Sequence, residues 1–170
     1  MDFKAKIREI PDWPKPGILF YDITPLLEDA EYFRAVNDEL AKPFLGQRID
    51  KVIAIDARGF LLAPGVAYQL NAGVCLVRKK GKLPHKTVSR EYALEYGSNT
   101  IEIHEDTIKP NERVLIIDDV LATGGTARAA VDLVKQLSGE VVGLGFLIEL
   151  EKLKGREKLP KLNVFSLIKY

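Results

Sequence analysis

Short β-branched runs alternating with segments of helical spacing are the feature that most limits what this chain can become. Lys51–Asp56, Gly73–Arg78, Val114–Ile117 and Val141–Ile148 each read as a strand buried on both faces, because their apolar residues follow one another without polar alternation. Phe60–Leu70 and Thr126–Leu137 read as helices, the second with Ala127, Ala130, Val131, Val134 and Leu137 on one face. Buried strands joined by helices predict an α/β fold, a mostly parallel twisted sheet flanked by helices. Asn99–His104 alternates as an edge-like strand, with Ile101 and Ile103 to one side. The charged segment Glu149–Lys161 and a closing strand at Asn163–Ile168 read as an addition at one edge of the sheet.

Residues 11–25 hold Pro11, Pro14, Pro16 and Pro25 around Trp13, Phe20 and Tyr21. Proline fixes φ and removes a backbone donor, so this segment is predicted to be an ordered but irregular arm. A helix follows, with Thr24 as its cap, Pro25 in its first turn, and Leu27, Ala30, Phe33, Val36 and Leu40 on its apolar face. The 170 residues fit one domain. Hydrophobic and charged fractions of 46% and 29% suit a globular protein, and a formal charge of +1 argues against nucleic acid as the main partner. No apolar stretch approaches the roughly 20 residues that span a bilayer, and none follows the opening charges as in a signal peptide. A cytoplasmic protein without membrane association is expected. Cys75 is the single cysteine, which excludes an internal disulfide and a cysteine-based zinc cage, and it reads as an inert core thiol.

The chemistry concentrates in Val114-Leu115-Ile116-Ile117-Asp118-Asp119-Val120-Leu121-Ala122-Thr123-Gly124-Gly125-Thr126. A buried strand delivers two carboxylates, a small-residue turn follows, and then a helix begins. Backbone N–H groups, two hydroxyls and two glycines at a helix N-terminus suit a phosphate. The turn has neither the lysine of a P-loop nor the glycine spacing of a dinucleotide fingerprint. Adjacent carboxylates are costly to desolvate unless donors or cations engage them, and a sugar diol with a divalent cation nearby supplies both. The alternative is a capped helix behind solvated aspartates. In Asp56-Ala57-Arg58-Gly59-Phe60, Arg58 and the backbone donors could meet an anion, or Arg58 could pair with a surface acid. Arg78, Lys79, Lys80, Lys82, Lys86 and Arg90, with no acid from 78 to 90, suit a mobile lid over a polyphosphate or a solvated loop.

The apolar run, acidic pair and Thr-Gly-Gly-Thr turn resemble the signature of the type I phosphoribosyltransferases. That resemblance implies that Ala122, Thr123, Gly124, Gly125 and Thr126 hold the 5-phosphate of phosphoribosyl pyrophosphate, with Asp118 and Asp119 facing its ribose hydroxyls. It implies a pyrophosphate loop at Ala57, Arg58 and Gly59, often with a cis peptide between non-proline residues, and further pyrophosphate contacts from Arg78 and Lys82. It also implies a homodimer, and Mg²⁺ near Asp118 and Asp119, held through ligand oxygens and water with no direct protein cage.

Three segments resemble the members of that family that act on adenine. Pro11–Leu27 is similar to their N-terminal hood (about residues 1–35), residues 78–97 to their flexible catalytic loop, and Leu153–Leu159 to their tail. Adenine and phosphoribosyl pyrophosphate are then the implied substrates, with AMP and pyrophosphate as products. Phe20 would stack on the base while the backbones of Leu19 and Tyr21 read its edge. Some relatives carry Arg at the position of Tyr21, so only a backbone role carries over. Glu95 is the implied acid/base for the adenine proton, and Arg58 and Lys82 would serve the departing pyrophosphate. Ala122 stands where members that use 6-oxopurines carry Asp, which argues against hypoxanthine and guanine. The competing readings are a transferase for another purine or pyrimidine, and a non-enzymatic regulator that senses phosphoribosyl pyrophosphate. Residues 1–50 show no helix-turn-helix to support the latter.

Overall fold

The structure is a computed structural model, and it describes residues 1–93 and 98–170. Its strands are β1 (Arg8–Pro11), β2 (Leu19–Asp22), β3 (Lys51–Ile55), β4 (Gly73–Lys79), β5 (Thr87–Ala93), β6 (Ser98–His104), β7 (Arg113–Leu121), β8 (Glu140–Glu149) and β9 (Val164–Lys169). Its α-helices are α1 (Thr24–Glu28), α2 (Ala30–Ala41), α3 (Gly59–Gln69) and α4 (Gly125–Gln136). Seven strands make one sheet in the order β5-β6-β4-β3-β7-β8-β9. The run from β4 to β9 is parallel, and β5 and β6 extend it as an antiparallel pair. The mostly parallel sheet and its closing edge strand are as expected from the sequence.

Alternate residues of the central strands feed two cores. Ile53, Ile55, Val114 and Ile116 pack with Ala130, Val131 and Val134 of α4. Val52, Ala54, Leu115 and Ile117 pack with α2 and α3 through Val36, Leu40, Leu62 and Val66. The two helices that follow β3 and β7 therefore cover opposite faces. Their N-termini meet at the carboxyl ends of β3 and β7, where the winding direction of the sheet reverses and ligand crevices of open α/β sheets form.

Four expectations are corrected. The proline-rich arm is not irregular throughout, because β1 and β2 pair antiparallel from Arg8↔Asp22 to Pro11↔Leu19. Pro11 is tolerated there because it closes a strand of a two-stranded sheet, where a missing donor costs little. The first helix is broken into α1 and α2 at Asp29, whose carboxylate accepts from the N–H groups of Glu31 and Tyr32. Thr24 does not cap α1 but is its first residue, the cap position falls on Ile23, and the Asp22 carboxylate accepts from the Thr24 N–H at 2.9 Å. Finally, β6 is not an edge strand, since β5 pairs with it from Thr87↔His104 to Ala93↔Ser98. β5 is polar and largely exposed, so it carries no apolar signal. The segment 78–97 thus contains the end of β4, a turn and β5, while Glu95 lies outside the described residues. Among the described residues no helix is long and apolar enough to cross a membrane.

Candidate functional site

β7 runs further than its apolar residues predict, through both acids to Leu121, because β8 continues to pair with it as far as Leu121↔Glu149. The acids are therefore held by a strand and not by a loop. The turn that follows is tight, and Gly124 adopts φ +79° before α4 begins at Gly125. A Cβ on Gly59 would sit 2.9 Å from the Ile117 carbonyl and 3.1 Å from Asp118 Oδ1, so the start of α3 lies directly against the end of β7. Asp118, Val120 and the turn Ala122–Thr126 line a cavity of about 70 Å³ into which the helix N-terminus opens. Its shape and donors suit a phosphate.

Asp119 is 5% exposed, and its Oδ2 lies 2.6 Å from Arg58 Nε without an aligned hydrogen bond. Asp118 Oδ1 accepts from the Asp119 N–H at 2.9 Å. Burial, and then the charge of Asp119, push the Asp118 carboxyl well above the usual aspartate range. Burial also raises Asp119, against the opposing pull of Arg58. The guanidinium of Arg58 additionally sits 5.1 Å from the centre of the Phe20 ring. One cation therefore spans the acidic pair and the hood, neutralising part of the charge of the buried acids. The Asp56–Ala57 peptide is cis, as the family resemblance implies for this loop. Arg78 Nε donates to Asp56 Oδ2 at 3.1 Å and its Nη1 to the Lys82 carbonyl at 3.2 Å, which places the basic turn beside the same loop. The Lys82 residue itself is exposed.

Thr123 also lines a second, larger cavity of about 640 Å³ beneath the hood, together with Leu19, Tyr21, Leu150, Leu153 and Tyr170. That volume lies within the roughly 300–1,000 Å³ of ordinary small-molecule sites. Leu19 and Tyr21 both line this cavity. Phe20 is not among its lining residues, for its ring packs on Trp13 with centroids 4.4 Å apart and faces Arg58. Leu150, Leu153 and Tyr170 carry no signal in the sequence, because apolar residues of a tail look like core residues until their neighbours are known. The Tyr170 ring lies 4.0 Å from that of Tyr21, tying the hood to the last strand. Among the described residues no three His, Cys, Asp or Glu side chains form a metal-binding group.

The family described as phosphoribosyl transferase domain matches residues 26–169. The chain is 56% identical to the adenine phosphoribosyltransferase of Acidobacterium capsulatum, over 98% of this chain and 92% of that one. The adenine phosphoribosyltransferase structure from Thermoanaerobacter pseudethanolicus aligns with a TM-score of 0.96 at 50% identity, covering 99% of this chain and 98% of that one. The Saccharomyces cerevisiae enzyme, complexed with an imino-altritol bisphosphate and adenine, aligns with a TM-score of 0.92 at 38% identity, covering 98% and 96%.

Proposed function

Because the chain belongs to the phosphoribosyl transferase domain family, we propose that its two neighbouring cavities, which share Thr123, hold the two halves of one reaction, a sugar phosphate in the turn and adenine beneath the hood. The enzyme transfers the 5-phosphoribosyl group from phosphoribosyl pyrophosphate to adenine, giving AMP and pyrophosphate, a purine salvage reaction. The observation that carries the assignment to these residues is Thr123, which lines both a phosphate-sized cradle and a base-sized cavity.

In this reading the N–H groups of Ala122–Thr126 take the 5-phosphate, while Asp118 and Asp119 accept from the ribose hydroxyls. Arg58, Ala57 and Gly59 face the pyrophosphate, and Arg78 and Lys82 approach it from the basic turn. Leu19 and Tyr21 offer the free edge of β2 to the base, and Phe20 can stack on it once Arg58 turns away to the pyrophosphate. The bond between the adenine nitrogen and C1 of the ribose forms as the bond from C1 to pyrophosphate oxygen breaks, with inversion at C1. Glu95 accepts the proton that the adenine nitrogen loses, a role that rests on resemblance alone. Rate enhancement then comes from positioning and from stabilising negative charge on the leaving group.

Mg²⁺ fits this site as a partner of the bound ligand. The buried, incompletely partnered Asp119 carboxylate lies where a cation could approach through ligand hydroxyls and water, and the described residues offer no closed cage. When bound it would offset pyrophosphate charge. A homodimer also belongs to this reading. Leu61, Pro64 and Tyr68 form an exposed stripe on α3, and Val74 and Leu76 stand exposed on the same side of β4. Leu61→Glu combined with Val74→Glu is expected to give monomers by sedimentation; a dimer that persists would place the interface elsewhere. A cytoplasmic setting completes the reading, supported by the free, buried Cys75.

Turnover with adenine, hypoxanthine, guanine, xanthine and orotate, each with phosphoribosyl pyrophosphate and Mg²⁺, tests the substrate. Adenine is expected to give AMP, and no other base a comparable rate. Product from another base in the absence of AMP formation would refute the assignment.

A further inference from the structure

The segment between β8 and β9 lends Leu150 and Leu153 to the wall of the larger cavity, and its backbone also presses on the phosphate turn. It leaves the sheet at Glu149, makes two 3-10 turns at Glu151–Leu153 and Gly155–Lys158, and reverses between them at Lys154, which adopts φ +51°. Its root is tied to the end of β7, because the Leu150 N–H donates to the Leu121 carbonyl at 2.9 Å. At its apex Gly155 is buried. A Cβ on Gly155 would lie 2.1 Å from the Ala122 carbonyl oxygen, and one on Gly124 would lie 2.3 Å from the Gly155 carbonyl oxygen. Two glycine backbones are thus in direct contact, and the atoms in the way on both sides are main chain, which no rotamer change can move.

The next residue fixes that contact to the sheet. Arg156 grips Glu149 with Nε at 3.0 Å from Oε1 and Nη2 at 2.5 Å from Oε2. Its Nη1 donates to the Val164 carbonyl at 2.7 Å, and Nη2 reaches Ser166 Oγ at 3.4 Å. The guanidinium therefore links the end of β8 to β9 through a two-pronged carboxylate pair and a backbone bond, a geometry that lysine cannot reproduce. The Glu149 side chain is 7% exposed while that of Arg156 is 41% exposed, so the carboxylate end of the pair is shielded and the guanidinium is partly open to solvent. Neither Arg156 nor Glu149 lines the phosphate cradle, and Gly155 is the neighbour of Arg156 whose backbone touches Ala122 and Gly124 of that turn.

We propose that Arg156, anchored on Glu149, is a positioning residue that holds Gly155 against Ala122 and Gly124 and so aims the N–H groups of the phosphate turn. The proposal rests on the reading of that turn as the sugar-phosphate site. Backbone donors bind an anion well only when they are already oriented, and displacement by about 1 Å can cost on the order of 10²-fold in rate. A bracket of this kind supplies the orientation from outside the turn, which is itself too short and too rich in glycine to hold one conformation alone.

The test uses Gly155→Ala and Arg156→Lys in the full chain, with ribose 5-phosphate binding measured by calorimetry and steady-state kinetics measured for both substrates. Both variants are expected to bind ribose 5-phosphate roughly ten-fold or more weakly and to raise KM for phosphoribosyl pyrophosphate by a similar factor, with KM for adenine changed by less than about two-fold. Arg156→Lys should retain the fold, which thermal unfolding checks. Wild-type affinity for ribose 5-phosphate in a folded variant overturns the proposal. So does a loss shared equally by both substrates and matched by lost thermal stability, since a purely structural role predicts it. Failure of the wild-type protein to make AMP would strike at the substrate assignment instead, because ribose 5-phosphate binding reads the bracket without any base.

Discussion

Gly124→Ala is expected to lower kcat/KM for phosphoribosyl pyrophosphate on the order of 10²-fold while leaving the protein folded. Two effects combine at this position. An alanine held at φ +79° carries the left-handed penalty of about 1–2 kcal/mol. Its Cβ would also sit 2.3 Å from the Gly155 carbonyl oxygen, so the turn must move away from its support. Each misdirected N–H then forfeits part of a hydrogen bond to a charged group, worth about 1.5–3 kcal/mol when well aimed. Gly46→Ala separates the two effects. Gly46 has φ +77° with nothing within 4 Å of the added carbon, so it should show the strain in stability and none of the kinetic loss. Calorimetry that finds wild-type affinity for phosphoribosyl pyrophosphate in Gly124→Ala would mean that the turn does not grip the phosphate.

Asp118→Asn should do two opposite things, raising the stability of the unliganded protein at neutral pH while weakening phosphoribosyl pyrophosphate binding. Burial and the neighbouring Asp119 hold the Asp118 carboxyl well above its ordinary range, so ionisation is less favourable in the folded state than in the unfolded one. The stability associated with the protonated form is fully present below the unfolded pKa of about 3.9 and is lost as pH rises through the higher folded value. Asparagine cannot ionise, and it retains at neutral pH what aspartate has lost, a gain of roughly 0.5–2 kcal/mol. The difference from wild type should shrink as pH falls toward 4. Loss of a charged acceptor for the ribose hydroxyls should cost about 1.5–3 kcal/mol, or roughly ten- to a hundred-fold in affinity. Thermal unfolding across pH together with calorimetry checks both halves. Equal stability of the two proteins at neutral pH would show that the Asp118 carboxylate carries no penalty.

These opposite effects express a general feature of the site. The acids are poorly compensated until ligand arrives, and Arg58 is the cation that partly neutralises them, at 2.6 Å from Asp119 while lying over Phe20. In our reading, hydroxyls and pyrophosphate take over both contacts when substrate binds.

How much of this could be read from residue order depends on the range of the interaction. The central strands, α3, α4 and the Ala122–Thr126 turn are visible because their information is local: continuous β-branched runs, helical spacing, and glycines after an acidic pair. β5 escapes notice because it is a polar strand whose existence depends on pairing with β6. The break at Asp29 looks like helix, since only the side chain's hydrogen bonds to Glu31 and Tyr32 show that it caps a new one. The length of β7 beyond Ile117 is set by β8 and not by its own residues.

Residue order alone determined the layered sheet, its phosphate-shaped turn and the acids ahead of it, because propensity and burial pattern act over a few neighbouring residues. Tertiary structure alone decided that Arg58 meets Asp119, that Tyr21 meets Tyr170, and that Gly155 backs Gly124. Those partners are separated by tens of residues or more, and contacts across such distances depend on how the elements pack, which no local pattern encodes.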